Sequence, residues 1–240
     1  MTDASKPCIC KPCTCNSRPC ILHPEIVAFQ YPLPHLAEAL KRQRKIKIVA
    51  IGSSSTAGTD GVLPFPPRLE FAMRSDAGFY GRMIDVINRG IGGQEAPEEI
   101  ARFECDLIAE APVLAIWQVG TNAVYHNVDY SPDAISAAIE AGLDWLAPLP
   151  MDVVLMDLQY TKAIVEKFEL ALDIEARICA AADKAEVNLF KRWALMRHWC
   201  VQDGVALSDL DDQADAHLHT SDWATGCITQ ALFGAIKTAL

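Results

Sequence analysis

Five short apolar runs, at residues 46–51, 84–88, 113–119, 152–157 and 187–190, set the rhythm of the chain. Each is rich in branched side chains and gives way to polar or glycine residues, which predicts a buried β-strand rather than a helix. Helical periodicity fills the intervals, over 66–75, 97–110, 132–146, 163–185 and 191–202, and a last helix is predicted from about 222 to 237. Pro97 and Pro132 suit first-turn positions, and Ser131 suits the cap ahead of the second. Strand and helix units alternating in this way need helical crossovers between parallel neighbours, so the pattern predicts an α/β fold, a three-layer α/β/α sandwich on a five-stranded parallel sheet. Such sheets place ligands where the strands end, here the loops around Ser54, Gly93, Asn122 and Tyr160.

Residues 1–30 break the rhythm. They are rich in Pro and Cys without periodicity and are expected to form an appendage to a single domain over 31–240. Five of the nine cysteines lie here, at Cys8, Cys10, Cys13, Cys15 and Cys20. Their spacing suits thiolate ligation of a metal, although an unstructured tail or disulfides account for it too. Cys105, Cys179, Cys200 and Cys227 fall in helical patterns and read as small buried hydrophobes.

Composition narrows the partners. With 240 residues, 51% of them hydrophobic, the chain can fill one large core. A formal net charge of -10 weighs against nucleic acid, whose binding relies on clustered cations. The one basic run, at 41–45, reads as a solvated helix end. No stretch has the length of a membrane span, and the polar start lacks a hydrophobic signal core, so a cytoplasmic location is expected.

Chemistry enters at the strand ends. Gly52-Ser53-Ser54-Ser55-Thr56-Ala57-Gly58 follows the first strand, Asn88-Arg89-Gly90-Ile91-Gly92-Gly93 the second, and Gly120-Thr121-Asn122-Ala123 the third. Asp215-Ala216-His217-Leu218-His219-Thr220-Ser221-Asp222-Trp223 opens the last helix. In order and placement these four segments resemble the sequence blocks of the SGNH (GDSL-type) hydrolases, over roughly residues 46–238. The resemblance implies the flavodoxin-like sandwich of that family and a serine esterase that uses no cofactor. It implies Ser54 as nucleophile, His219 as general base, and an oxyanion hole made by the backbone N–H groups of Ser54 and Gly93 with the Asn122 amide. The substrate implied is a small-molecule or glycan ester, with O-acetylated carbohydrate among the choices.

Two positions depart from that pattern. Ser53 stands where the family usually has Asp, just before the nucleophile. The acid expected three residues before the catalytic His falls on Ala216, and Asp215 lies one step earlier. We expect Asp215 to supply the carboxylate through a local bulge at His217, with Asp212 as the second candidate. Trp117, Tyr125, Tyr160 and Trp223 lie in or beside the strand-end segments and are expected to wall a pocket or to pack in the core. Two rival readings stay open: a metal-dependent hydrolase using Asp215, His217, His219 and Asp222, and a catalytically impaired binding module on the same scaffold.

Overall fold

A computed structural model describes residues 18–240. Five parallel strands form the sheet: β1 (Lys45–Gly52), β2 (Met83–Gly90), β3 (Leu114–Gln118), β4 (Asp152–Met156) and β5 (Asn188–Phe190). Their order is β2-β1-β3-β4-β5, which reverses direction at β1. That reversal opens a crevice at the carboxyl end of β1, where Ser54 follows.

Side chains alternate across each strand and so build two cores. Ile46, Ile48 and Ala50 of β1 join Leu114, Ile116, Val154 and Met156 on one face. Helices α1 (Pro34–Arg42), α2 (Phe65–Ser75), α5 (Arg192–Val201) and α6 (Asp222–Thr238) contribute to the same core. Val49, Ile51, Ala115, Trp117 and Leu155 face the other way, against α3 (Pro132–Leu146) and α4 (Phe168–Lys184). The three-layer sandwich and its five-stranded parallel sheet are therefore present. Ser131 caps α3 by accepting the Ala134 N–H at 3.2 Å, with Pro132 opening the helix.

Two expected helices are broken where a long cation leaves the helical path to serve backbone carbonyls elsewhere. The segment at 97–110 divides into Ala96–Ile100, Phe103–Asp106 and a 3-10 turn at Ile108–Glu110. At the first break, the Arg102 guanidinium donates to Gly52 O, Arg89 O and Gln94 Oε1. The segment at 163–185 divides into Lys162–Val165 and α4, and beside the break Lys167 Nζ donates to Val124 O and Tyr125 O. Tertiary satisfaction of carbonyls outweighs local propensity at both places.

The expected appendage needs correction over its described part. Residues 18–30 lie on the domain: Val27 is buried, Leu22, Ile26 and Phe29 pack against the same core, and a short helix covers Pro24–Val27. Pro24 and Pro34 start helices here, where proline has no N–H to leave unpaired, although in sequence a proline-rich stretch reads as helix-breaking. Cys20 is joined to Cys227 by a disulfide, so neither sulfur is a thiolate and Cys20 leaves the expected metal set. Cys8, Cys10, Cys13 and Cys15 lie outside the described residues. No described helix is long and apolar enough to cross a membrane.

Candidate active site

Ser54 opens a four-residue helical turn, Ser54–Ala57, directly after β1. This turn lies so close to β2 that a Cβ on Gly90 would stand 2.1 Å from the Ala57 nitrogen, so only glycine fits there. Gln118, at the end of β3, fixes the approach: its Oε1 accepts the Ser53 N–H at 3.2 Å, the Ser53 hydroxyl at 3.0 Å and the Thr56 hydroxyl at 3.3 Å. Ser53 thus ties two strand ends together and presents no acid.

The loop before α6 delivers the imidazole. His219 Nε2 lies 2.7 Å from Ser54 Oγ, and His219 Nδ1 bonds the Asp215 carboxylate. His219 and Asp215 are 15% and 26% exposed at their side chains, sheltered yet open to a substrate. Contact across the displaced spacing comes from the backbone: Ala216 and His217 are both left-handed, at φ 63° and 60°. Two such residues in succession curl the chain, bringing positions 215 and 219 to one side. Asp212 turns elsewhere, accepting the Ala214 N–H at 2.9 Å.

His217 belongs to the scaffold of that loop. Its Nδ1 lies 2.9 Å from Asp211, a buried carboxylate that also accepts the Lys162 N–H. Asp222 pairs with Arg68. The metal reading of Asp215, His217, His219 and Asp222 is therefore corrected, because these side chains are committed to different partners and do not converge on a point.

Gly93 and Asn122 lie on neighbouring loops, after β2 and after β3, joined through the residue that follows Gly93. Gly93 has φ +82°, and a Cβ there would meet nothing within 4 Å, so the backbone conformation is what calls for glycine. Asn122 is 2% exposed and donates one amide hydrogen to Gln94 O at 2.7 Å, which leaves its second N–H for another acceptor.

Three buried or half-buried residues outside the four sequence blocks hold these pieces in register. Gln159 accepts the Ser55 hydroxyl at 2.7 Å and donates to Leu218 O at 2.7 Å, linking the Ser54 turn to the His219 loop. Arg102 joins the ends of β1 and β2 to Gln94 through its guanidinium. Glu95 accepts N–H groups of Ala96, Gly120 and Ala123, and so fixes the segment carrying Asn122 against the one carrying Gly93. Burial raises the pKa of Glu95, and those donors oppose the rise by favouring its charged form. One turn on, burial and then the Glu95 charge push Glu99 well above the usual carboxylate range. The sequence does hold cues: Gln118 and Gln159 stand near the ends of two apolar runs, and Glu95-Ala96-Pro97-Glu98 is a capping pattern. Replacing Gln159 by Ala is expected to lower kcat/KM for an ester substrate about tenfold and stability by about 1–3 kcal/mol. Steady-state kinetics and thermal denaturation check both.

A cavity of about 10 Å³ lies beside Ser54 and His219, walled by Gly58, Thr59, Val62, Pro64, Thr220 and Thr225. The four aromatic residues considered for a pocket wall are not among its lining. Trp117 is fully buried on the central strand, donating its indole N–H to Glu99. Tyr160 packs edge-on against Trp193, Tyr125 lies beside His126 and Lys167, and Trp223 packs against Trp199 and donates to Arg18 O.

Residues 19–240 match the model of the non-GDSL lipase-like family. Comparison with curated proteins finds no significant sequence match. Among solved structures, an acetylxylan esterase from Geobacillus stearothermophilus superposes with a TM-score of 0.63 at 18% identity, over 80% of this chain and 94% of that one. A variant of an acetyl-xylooligosaccharide esterase from Geobacillus reaches a TM-score of 0.67 at 19% identity, with the same coverage. A G-D-S-L family protein from Desulfitobacterium hafniense DCB-2 gives 0.61 at 20% identity, over 79% of this chain and 98% of that one. At these identities the likeness establishes the shared sandwich fold.

Proposed function

Because the chain belongs to the non-GDSL lipase-like family, within the SGNH-type hydrolases, we propose that it is a serine esterase acting on small acyl esters through a covalent acyl-enzyme. The observation that carries this reading is the continuous line from Asp215 through both nitrogens of His219 to Ser54 Oγ, 2.7 Å from Nε2. A hydroxyl is a weak nucleophile until a base takes its proton as the bond forms.

In the first half, Ser54 Oγ attacks the ester carbonyl carbon while its proton passes to His219 Nε2. Negative charge gathers on the former carbonyl oxygen, within reach of the Ser54 and Gly93 N–H groups and the free N–H of Asn122. Collapse of that intermediate breaks the bond to the alcohol, which leaves with the proton from His219. Water then gives a proton to the same nitrogen and its oxygen attacks the acyl carbon. The acid departs and Ser54 recovers its proton. The Asp215 carboxylate holds the Nδ1 proton in place and balances the imidazolium. Removing the Asn122 donor with Asn122→Ala is expected to lower kcat about 10²–10³-fold with a small change in KM.

The acyl group proposed is acetyl, and carbohydrate is the proposed alcohol part. The smallness of the cavity beside Ser54, about 10 Å³, supports the first choice, since it offers no room for a long acyl chain. The acetylxylan esterase of the same fold supports the second. A series of nitrophenyl acetate, butyrate and octanoate, run beside an acetylated xylooligosaccharide, tests both. We expect kcat/KM to fall at least about tenfold from acetate to octanoate, and acetate to be released from the sugar. Rising rates with chain length contradict the acyl assignment, and an untouched oligosaccharide contradicts the carbohydrate one.

A further inference from the structure

Away from Ser54, the start of the described chain meets the end of α5 in a group the esterase chemistry does not use. His23 Nε2 lies 2.7 Å from one Asp203 oxygen, and His198 Nε2 lies 4.0 Å from the other. The two imidazoles stand 4.2 Å apart between centroids, tilted by 57°. One ligand atom from each of the three residues falls within 4.8 Å of the other two. From these contacts we infer that His23, His198 and Asp203 form a binding site for one divalent cation of the zinc class.

The donor set fits that class. Two imidazoles and a carboxylate suit zinc, cobalt or nickel, whereas calcium and magnesium seek oxygen alone. Metal bonds of about 2.0–2.2 Å in tetrahedral array put ligand atoms about 3.3 Å apart. With one atom from each residue within 4.8 Å of the other two, the His23–Asp203 contact has to open slightly and the wider spacings to close by up to about 1.5 Å. Water takes the fourth position. Glu25 already stands behind the site, 2.9 Å from His23 Nδ1, where a carboxylate fixes the ring so that Nε2 faces the cation.

Charge points the same way. Glu25 and Asp203 both stand against the His23 ring and make this point negative, as a cation site requires. His198 lies in the last turn of α5, whose carbonyl end is also negative. The frame is fixed around this point: Trp199 donates its indole N–H to Ile21 O at 2.6 Å, Cys20 is bonded to Cys227, and the Asp203 N–H reaches His198 O at 3.3 Å. His23 itself is held left-handed at φ 42°, a conformation a non-glycine residue keeps only when its surroundings impose it. The cation would fasten the segment before Pro24 to the end of α5, beside the disulfide.

The test is a Co²⁺ titration of the full, untagged chain carrying C8S/C10S/C13S/C15S, so that the upstream thiols cannot compete. One equivalent is expected to bind with visible d–d bands and no sulfur charge-transfer band in the near ultraviolet, releasing protons as it does so. His198→Gln and Asp203→Asn should each weaken binding at least about tenfold. Zn²⁺ at about 100 times its Kd should raise the Tm of the parent by about 5–10 °C and that of each variant less. The inference is overturned if Co²⁺ fails to bind the parent, or binds both variants with the parent's affinity and spectrum. Because every readout is binding or stability, the result does not depend on the esterase reading.

Discussion

Ser54→Ala is expected to lower kcat for nitrophenyl acetate by on the order of 10⁶, leaving KM within a few-fold of the parent. Losing one oxygen removes the atom that carries the acyl group between the two halves of the reaction. His219 then has no alkoxide to generate. What persists is the slower attack of water assisted by the oxyanion donors, about 10³–10⁴ above the uncatalysed rate. The change should leave the fold intact, because the Ser54 side chain makes its contact with His219 alone among the described hydrogen bonds, while Ser53, Ser55 and Thr56 carry those that anchor the turn. Thermal denaturation of the variant should match the parent. Retention of more than about 1% of kcat, four powers of ten above that expectation, contradicts a serine nucleophile at this position.

Asp215→Asn carries the second large effect, a fall in kcat on the order of 10⁴. An amide in place of the carboxylate can still bond Nδ1, but it no longer selects the tautomer that leaves Nε2 free to take a proton, and it offers no charge to the imidazolium. Asp212→Asn is the matched control. Its carboxylate caps the short turn at Gln213–Asp215 through Ala214, so kcat should change less than about tenfold. Equal losses in the two variants would mean that loop integrity rather than the Asp215 charge sustains the site.

How far the sequence can be read follows from which signals are local. Strand positions are legible because the apolar runs are short, rich in branched residues and set between longer helical patterns, which together favour buried strands. Ser54, Gly93, Asn122 and His219 follow from those ends together with the family pattern. The contact between Asp215 and His219 rests on two successive left-handed residues, Ala216 and His217, neither of which announces that conformation as glycine or asparagine would. Arg102 is hidden in a different way. In a helical pattern a charged residue reads as a solvated face, and only tertiary packing reveals that its partners are backbone groups of distant loops. For Trp117 the sequence leaves pocket wall and core both open, since closeness to a strand end says nothing about which face of the sheet a side chain takes, and the structure buries it in the core. The Cys20–Cys227 bond spans nearly the whole chain and leaves no mark in local spacing.

The central claim is that His219, oriented by Asp215, makes Ser54 the reacting nucleophile. Labelling with a fluorophosphonate followed by peptide mass spectrometry tests it most directly. The account predicts a single covalent adduct on the peptide containing Ser54, loss of hydrolysis in step with labelling, and much slower labelling in His219→Ala. Full hydrolytic activity after saturating exposure, or an adduct confined to another serine, contradicts it.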